Sequence, residues 1–128
     1  MLLLLADGIN VFEQIDDLLL TKCEYIIPSL VLMELEKIVH GKRNIESRKA
    51  RFALSMLNSL KDKHDIRIVE IDNYNYSVDD VLIDLALTTG CYIASNDRSL
   101  RSKARKRNIP EIYYREEKGM LEASKEFI

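Results

Sequence analysis

Short strand-type runs alternate with helix-period segments from one end of this chain to the other, and that alternation restricts the fold more than any single motif. Leu2–Ala6 is a continuous apolar run, as expected of a central strand buried on both faces. Asp7-Gly8 breaks it. Val11, Phe12, Ile15, Leu18 and Leu19 then follow helical spacing in a segment from Asn10 to about Lys22. Glu24–Ile27 reads as a second strand stopped by Pro28, and Ser29 as the N-cap of a helix that Gly41 ends. A longer, charged helix spans roughly Asn44 to Lys63, with Ala50, Ala53, Leu54, Leu57 and Leu60 on its inner face. Ile66–Ile71 is a third strand and Asp72–Tyr76 a turn-rich connection. Ser77 opens a helix that buries Val81, Leu82, Leu85 and Ala86 and stops at Gly90. Cys91–Ala94 is the fourth strand, Arg98–Arg107 the next helix and Ile112–Tyr114 the fifth strand, before a charged tail that reads as helical. Strands alternating with helices over one short chain mean an α/β domain with a mostly parallel sheet.

With 128 residues, 47% of them apolar and 31% charged, the chain is one globular domain able to bury a core. A net charge of −2 argues against a general polyanion binder, so any nucleic-acid contact must come from local basic clusters. Cys23 and Cys91 are too few for a disulfide framework and have no CxxC spacing, which fits a reducing cytoplasm. The Leu2–Ala6 run is too short for a membrane span and lacks the basic leader of a signal peptide. His40 and His64 lie in polar stretches without a partner pattern, and no Ser-His-Asp, Cys-His or Gly-rich phosphate motif is present.

The chemistry lies in the acids. Right-handed crossovers put all strand carboxyl ends on one edge of such a sheet, where open α/β folds build their sites. Asp7 leaves the first strand and Asp97 the fourth; Asp79 and Asp80 open the helix before that strand. Glu34 lies one turn into a helix among Leu30, Val31, Leu35 and Ile38, a costly place for a carboxylate unless it faces a site, a partner or solvent. Clustered carboxylates need a cation or protons to coexist, and oxygen-only ligands suit Mg²⁺ or Mn²⁺. Taken singly, Asp7 and Asp97 read equally well as helix caps, and Asp79 and Asp80 as first-turn acids favoured by the helix dipole. Their joint pattern lifts the metal-site reading above those.

At these residues the chain resembles PIN-domain ribonucleases, from Leu2 to Arg115. The shared marks are an Asp after strand one (Asp7), a Glu in a Val-Leu-x-Glu-Leu helix (Glu34 in Val31–Glu36), an acid opening a later helix (Asp79 or Asp80) and Ser95-Asn96-Asp97 after strand four. The block Asn96–Leu100 through Asn108–Arg115 looks like archaeal PIN proteins related to VapC-type toxins and to nucleases that process ribosomal RNA. The resemblance implies a single-domain, PIN-like three-layer sandwich over residues 1–115, with a central five-stranded sheet in the order 3-2-1-4-5 and a tail over 116–128. It implies endoribonuclease activity dependent on Mg²⁺ or Mn²⁺, with Asp7, Glu34, Asp79 or Asp80 and Asp97 as ligands and Ser95 in support. Asp79 keeps helical spacing to Ala86, whereas Asp80 sits better after a Ser77 cap and is slightly preferred. The usual Asp-Thr-Asn or Asp-Thr-Ser is here Asp7-Gly8-Ile9-Asn10, which displaces the supporting Asn10.

Arg98, Arg101, Lys103, Arg105, Lys106 and Arg107 crowd the helix beside Asp97 and read as a phosphate track into the site. Lys42, Arg43, Arg48, Lys49 and Arg51 read mostly as a solvated face, able to clamp substrate only if they fold over the pocket. Tyr74 and Tyr76 suit turn packing or base stacking. The tail's Met120, Leu121 and Phe127 suit an interface between two copies. RNA, an antitoxin or a ribosome-assembly factor, and a second copy are the implied partners, in the cytoplasm and away from membranes. Two rivals remain. A catalytically silent PIN fold would bind RNA or serve assembly. A receiver-like signalling domain would need paired acids after strand one and a Lys after strand five, where this chain has Asp7 alone and Arg115.

Overall fold

A computed structural model describes residues 1–72 and 77–124. The segment Leu2–Asp7 is a 3₁₀ helix, followed by α1 (Val11–Leu19), β1 (Glu24–Pro28), α2 (Ser29–Val39), α3 (Ile45–Leu60) and β2 (Asp65–Val69). α4 (Val78–Thr89), β3 (Ile93–Ala94), α5 (Arg98–Lys106), β4 (Glu111–Arg115) and β5 (Met120–Ala123) complete the chain. β1 and β2 form a parallel pair; β3 and β4 are parallel, and β5 runs antiparallel to β4 in a second sheet. The α/β class is therefore as expected, while the strands fall in two sheets rather than one sheet of five.

The difference begins at Leu2–Ala6, which is not a strand. Its run of leucines contains no β-branched residue, and leucine is among the better helix formers, so neither its burial nor its propensity demands an extended chain. Leu4 N donates to Met1 O (3.1 Å) and Gly8 N to Leu5 O (3.2 Å). Gly8 ends the segment at φ 81°, a conformation side chains rarely tolerate. Leu5 is still only 1% exposed and joins Val11, Phe12, Ile15, Ile27, Ala53 and Leu57 in the larger core. A smaller core of Ile83, Ala86, Ile93, Leu100, Ala104 and Ile109 packs α4 and α5 around β3.

Local chemistry sets the helix ends. Asn10 caps α1 by accepting from Glu13 N, and Asn44 and Ser47 form a reciprocal capping box at the start of α3. Ser77 caps α4 through Asp80 N, as its position implies. Ser29 is not a cap; it is the first residue of α2, and its hydroxyl accepts from Ile71 N (3.0 Å), fastening the exit of β2. The tail also departs from the helical expectation. Gly119, at φ 64°, turns the chain back so that Met120–Ala123 pairs with β4. Leu121 is buried against α1, where its N–H donates to the Gln14 side chain. On this hairpin Arg115 bridges Glu117 (2.8 Å) and Glu122 (3.1 Å), and Lys118 reaches Glu122 (3.0 Å). Tyr74, Tyr76 and Phe127 lie outside the described residues.

One polar knot closes the edge of the larger core. The Tyr25 hydroxyl sits between the Phe12 carbonyl (2.6 Å) and the Asp16 carboxylate, which also accepts from Cys23 N (2.9 Å) and faces His64 at 3.6 Å. Burial pushes the Asp16 carboxyl up, but the hydrogen bonds from Tyr25 and Cys23 and the nearby His64 together hold it below the usual range. A carboxylate lowered in the folded state contributes stability above its unfolded pKa and loses it as pH falls through the folded value. Urea midpoints taken from neutral pH down through the carboxylate range should therefore fall on the acid side. Asp16→Asn should flatten that limb, and an unchanged limb would show that the knot does not couple folding to pH.

Candidate active site

The carboxyl end of β3 runs into a turn that the protein fixes at three points. Ser95 N donates to Ile112 O (2.9 Å), the Ser95 hydroxyl accepts from Asp97 N (3.1 Å), and the Asn96 side chain accepts from Tyr114 N (2.9 Å). Asp97 then caps α5, one carboxylate oxygen accepting from Ser99 N (2.8 Å) and Leu100 N (3.2 Å). The Asn96 contact was not foreseen from sequence, where this residue is only the middle of a motif.

A cavity of about 400 Å³ opens between the two sheets, and Glu34 from α2, Asp79 from α4, and Ser95 and Asp97 from this turn all line it. Its walls are otherwise largely apolar, with Val31, Leu35, Leu82, Ala86 and Ile93 among them. Asp79 belongs to the α4 stripe Asp79, Leu82, Ala86 and Thr89 that faces the cavity, whereas Asp80 lies a step around the helix and is exposed. Of the two acids, Asp79 lines the cavity and Asp80 does not.

Asp7 stands apart. It ends the 3₁₀ segment, does not line the cavity, and pairs with Lys49 of α3 at 3.1 Å. Asn10 is occupied as the α1 cap. Asp79 pairs with Lys103 at 3.4 Å. The chemistry of the acids, all oxygen donors, suits Mg²⁺ or Mn²⁺. Their placement does not: among the described residues no three of His, Cys, Asp or Glu stand close enough to hold one ion together. Asp7, Asp79 and Asp97 are instead balanced by a cation or by N–H groups of the chain itself.

The basic helix divides in two. Glu111 of β4 is only 1% exposed, and Arg101 Nε donates to it at 2.8 Å. Arg105 Nε lies 3.2 Å from its other oxygen, an ion pair without hydrogen-bond geometry. The Arg101 guanidinium also covers the Tyr113 ring, 3.8 Å from its centre. Arg101 and Arg105 thus hold β4, and Lys103 holds Asp79. Arg98, Lys106 and Arg107 make no ion pair among the described residues.

A family model described as a PIN like domain matches residues 1–117. The chain belongs to the PIN-like domain family. Ribonuclease VapC9 of Archaeoglobus fulgidus is 35% identical over 97 residues, covering 76% of this chain and 65% of that protein. The match thus spans just under two thirds of the relative's length. The solved structure of the PIN domain endonuclease Utp24 superposes with a TM-score of 0.71 over 95% of this chain and 83% of its own, at 24% identity, a likeness of fold. Among the described residues no helix is long and apolar enough to cross a membrane.

The buried pair can be separated from the exposed cations by measurement. Arg101→Ala should cost on the order of 3 kcal/mol, because it leaves a buried carboxylate short of a partner. Arg98→Ala should stay within about 0.5 kcal/mol. Equal unfolding midpoints for the two variants would show that Glu111 does not need Arg101.

Proposed function

We propose that this protein is an endoribonuclease that hydrolyses RNA phosphodiesters with a divalent cation, Mg²⁺ or Mn²⁺, using Glu34, Asp79, Asp97 and Asp7. The observation that carries the reading is the convergence of Glu34, Asp79, Asp97 and Ser95 on one cavity at the carboxyl end of β3. The relative Ribonuclease VapC9 and the fold neighbour, the PIN domain endonuclease Utp24, point the same way, and the 35% identity favours a VapC-type ribonuclease over a ribosomal-RNA-processing one. A cytoplasmic protein that meets RNA and an antitoxin-like or ribosome-assembly partner, or pairs with a second copy, follows from that reading. So does a nuclease domain that extends past residue 115 to take in β5, leaving little separate tail.

The chain's own groups have definite tasks in this site. Ser95 and Asn96 fix the turn so that Asp97 enters the cavity at one angle. Lys103 restrains Asp79, and Lys49 restrains Asp7, in the absence of substrate.

The second reading, a PIN fold that binds RNA without cutting it, is favoured by one observation: the acids do not close on one another among the described residues. Cleavage of a structured RNA with Mn²⁺, with Mg²⁺ and with EDTA separates the two. Asn caps a helix as well as Asp, so Asp97→Asn removes the charge and keeps α5. Metal-dependent cutting that falls by about a hundredfold or more in Asp97→Asn is the expected result, since even outer-shell losses cost up to that much. Equal residual activity in the wild type and variant would remove the nuclease reading and leave the binding one.

A further inference from the structure

We propose that the exposed face of α3 beside Asp7 is the docking surface for single-stranded RNA, with Phe52 as a stacking platform for a base and Arg48 and Arg51 as phosphate contacts. The inference rests on the nuclease reading, because it names how the substrate of that site is held.

The distribution of unspent charge comes first. On α5, Arg101 and Arg105 answer Glu111 and Lys103 answers Asp79, so half of that helix's apparent phosphate track is already engaged inside the protein. On α3 and the loop before it, Lys42, Arg43, Arg48 and Arg51 are exposed and make no ion pair among the described residues. Glu46 is the single acid within that stretch. Four unpaired cations beside one acid leave a positive surface here no weaker than the one made by the three that α5 keeps free.

Phe52 supplies the second observation. It is 53% exposed, although the inner face of the same helix is fully furnished by Ala50, Ala53, Leu57 and Leu60. Arg48 and Lys49 precede it by one turn, at the i,i+4 and i,i+3 spacings that make side chains neighbours. Among the described residues no ring or guanidinium covers it. Ile45, two turns earlier, is 72% exposed and extends the apolar strip.

The third observation joins this face to the chemistry. Lys49 touches Asp7 at 3.1 Å, so a strand lying along α3 arrives at a candidate acid. Cations beside an uncovered ring match a single strand, whose phosphates and bases alternate along its length. An acidic peptide would satisfy the charges but offers nothing that requires the ring.

The test is fluorescence anisotropy of a short fluorescein-labelled single-stranded RNA with the full chain, in EDTA so that binding is read apart from cleavage. Phe52→Ala should weaken binding by about tenfold, within the range measured for base–aromatic stacking, and Phe52→Tyr should retain it. Replacing Arg48 and Arg51 together by Ala should lower the slope of log K against log salt by about 1.4, two phosphates at ~0.7 each. Unchanged affinity and slope in these variants, with loss instead on Arg98→Ala and Lys106→Ala, would overturn the inference and leave the nuclease reading standing. If Phe52→Ala instead splits a dimer in sedimentation and RNA affinity holds, the face is an interface between copies and the inference fails. Phe52-dependent binding by a protein that shows no Asp97-dependent cleavage would keep the docking surface and remove the nuclease.

Discussion

A carboxylate that is almost completely shut away from water must be met by positive charge, and much of the geometry around the site follows from how Glu111 is met. Two arginines from α5 reach it, one of them also covering the Tyr113 ring. This clamps α5 against β4. With α5 fixed, its first residue is fixed too, and that position is capped by Asp97. The Asn96 side chain ties the same turn to β4 by accepting from Tyr114 N. A buried ion pair of this kind gives little net stability, because desolvation offsets the attraction, but it is intolerant of losing one partner. Its value is in register.

The candidate acids follow a related rule. Like charges do not gather without compensation. Asp7 finds Lys49, Asp79 finds Lys103, and Asp97 uses the N–H groups at the start of α5. The protein thereby keeps its candidate site intact electrostatically, at the expense of bringing the acids within reach of one another. Lys49 and Lys103 occupy the role that a cation would otherwise fill.

Much of this was legible in the chain itself. The helix-period segments up to Arg107, the Ser77 cap and the Asp97 cap of α5 follow from local chemistry and appear at their expected places. Leu2–Ala6 was misread because an apolar run of leucines reports burial without reporting backbone conformation. β5 was missed because four residues between a turn and the end of the chain carry little periodicity, and their pairing depends on β4. That Asp79 rather than Asp80 lines the cavity depends on the direction of α4 relative to it. Lys49 and Glu111 carried no signal at all: one resembled a solvated surface lysine and the other an ordinary strand acid, and only the tertiary arrangement gives each its partner.

The charge lattice on the β4–β5 hairpin, where Arg115, Glu117, Lys118 and Glu122 are linked, has a thermal consequence. Isolated exposed pairs contribute little at room temperature. Hydration of ions becomes less favourable on heating, so the cost of joining them falls, while apolar burial gains nothing further. A linked set of four therefore gains relative weight as temperature rises. The hairpin that presses Leu121 onto α1 is in this respect fastened for heat.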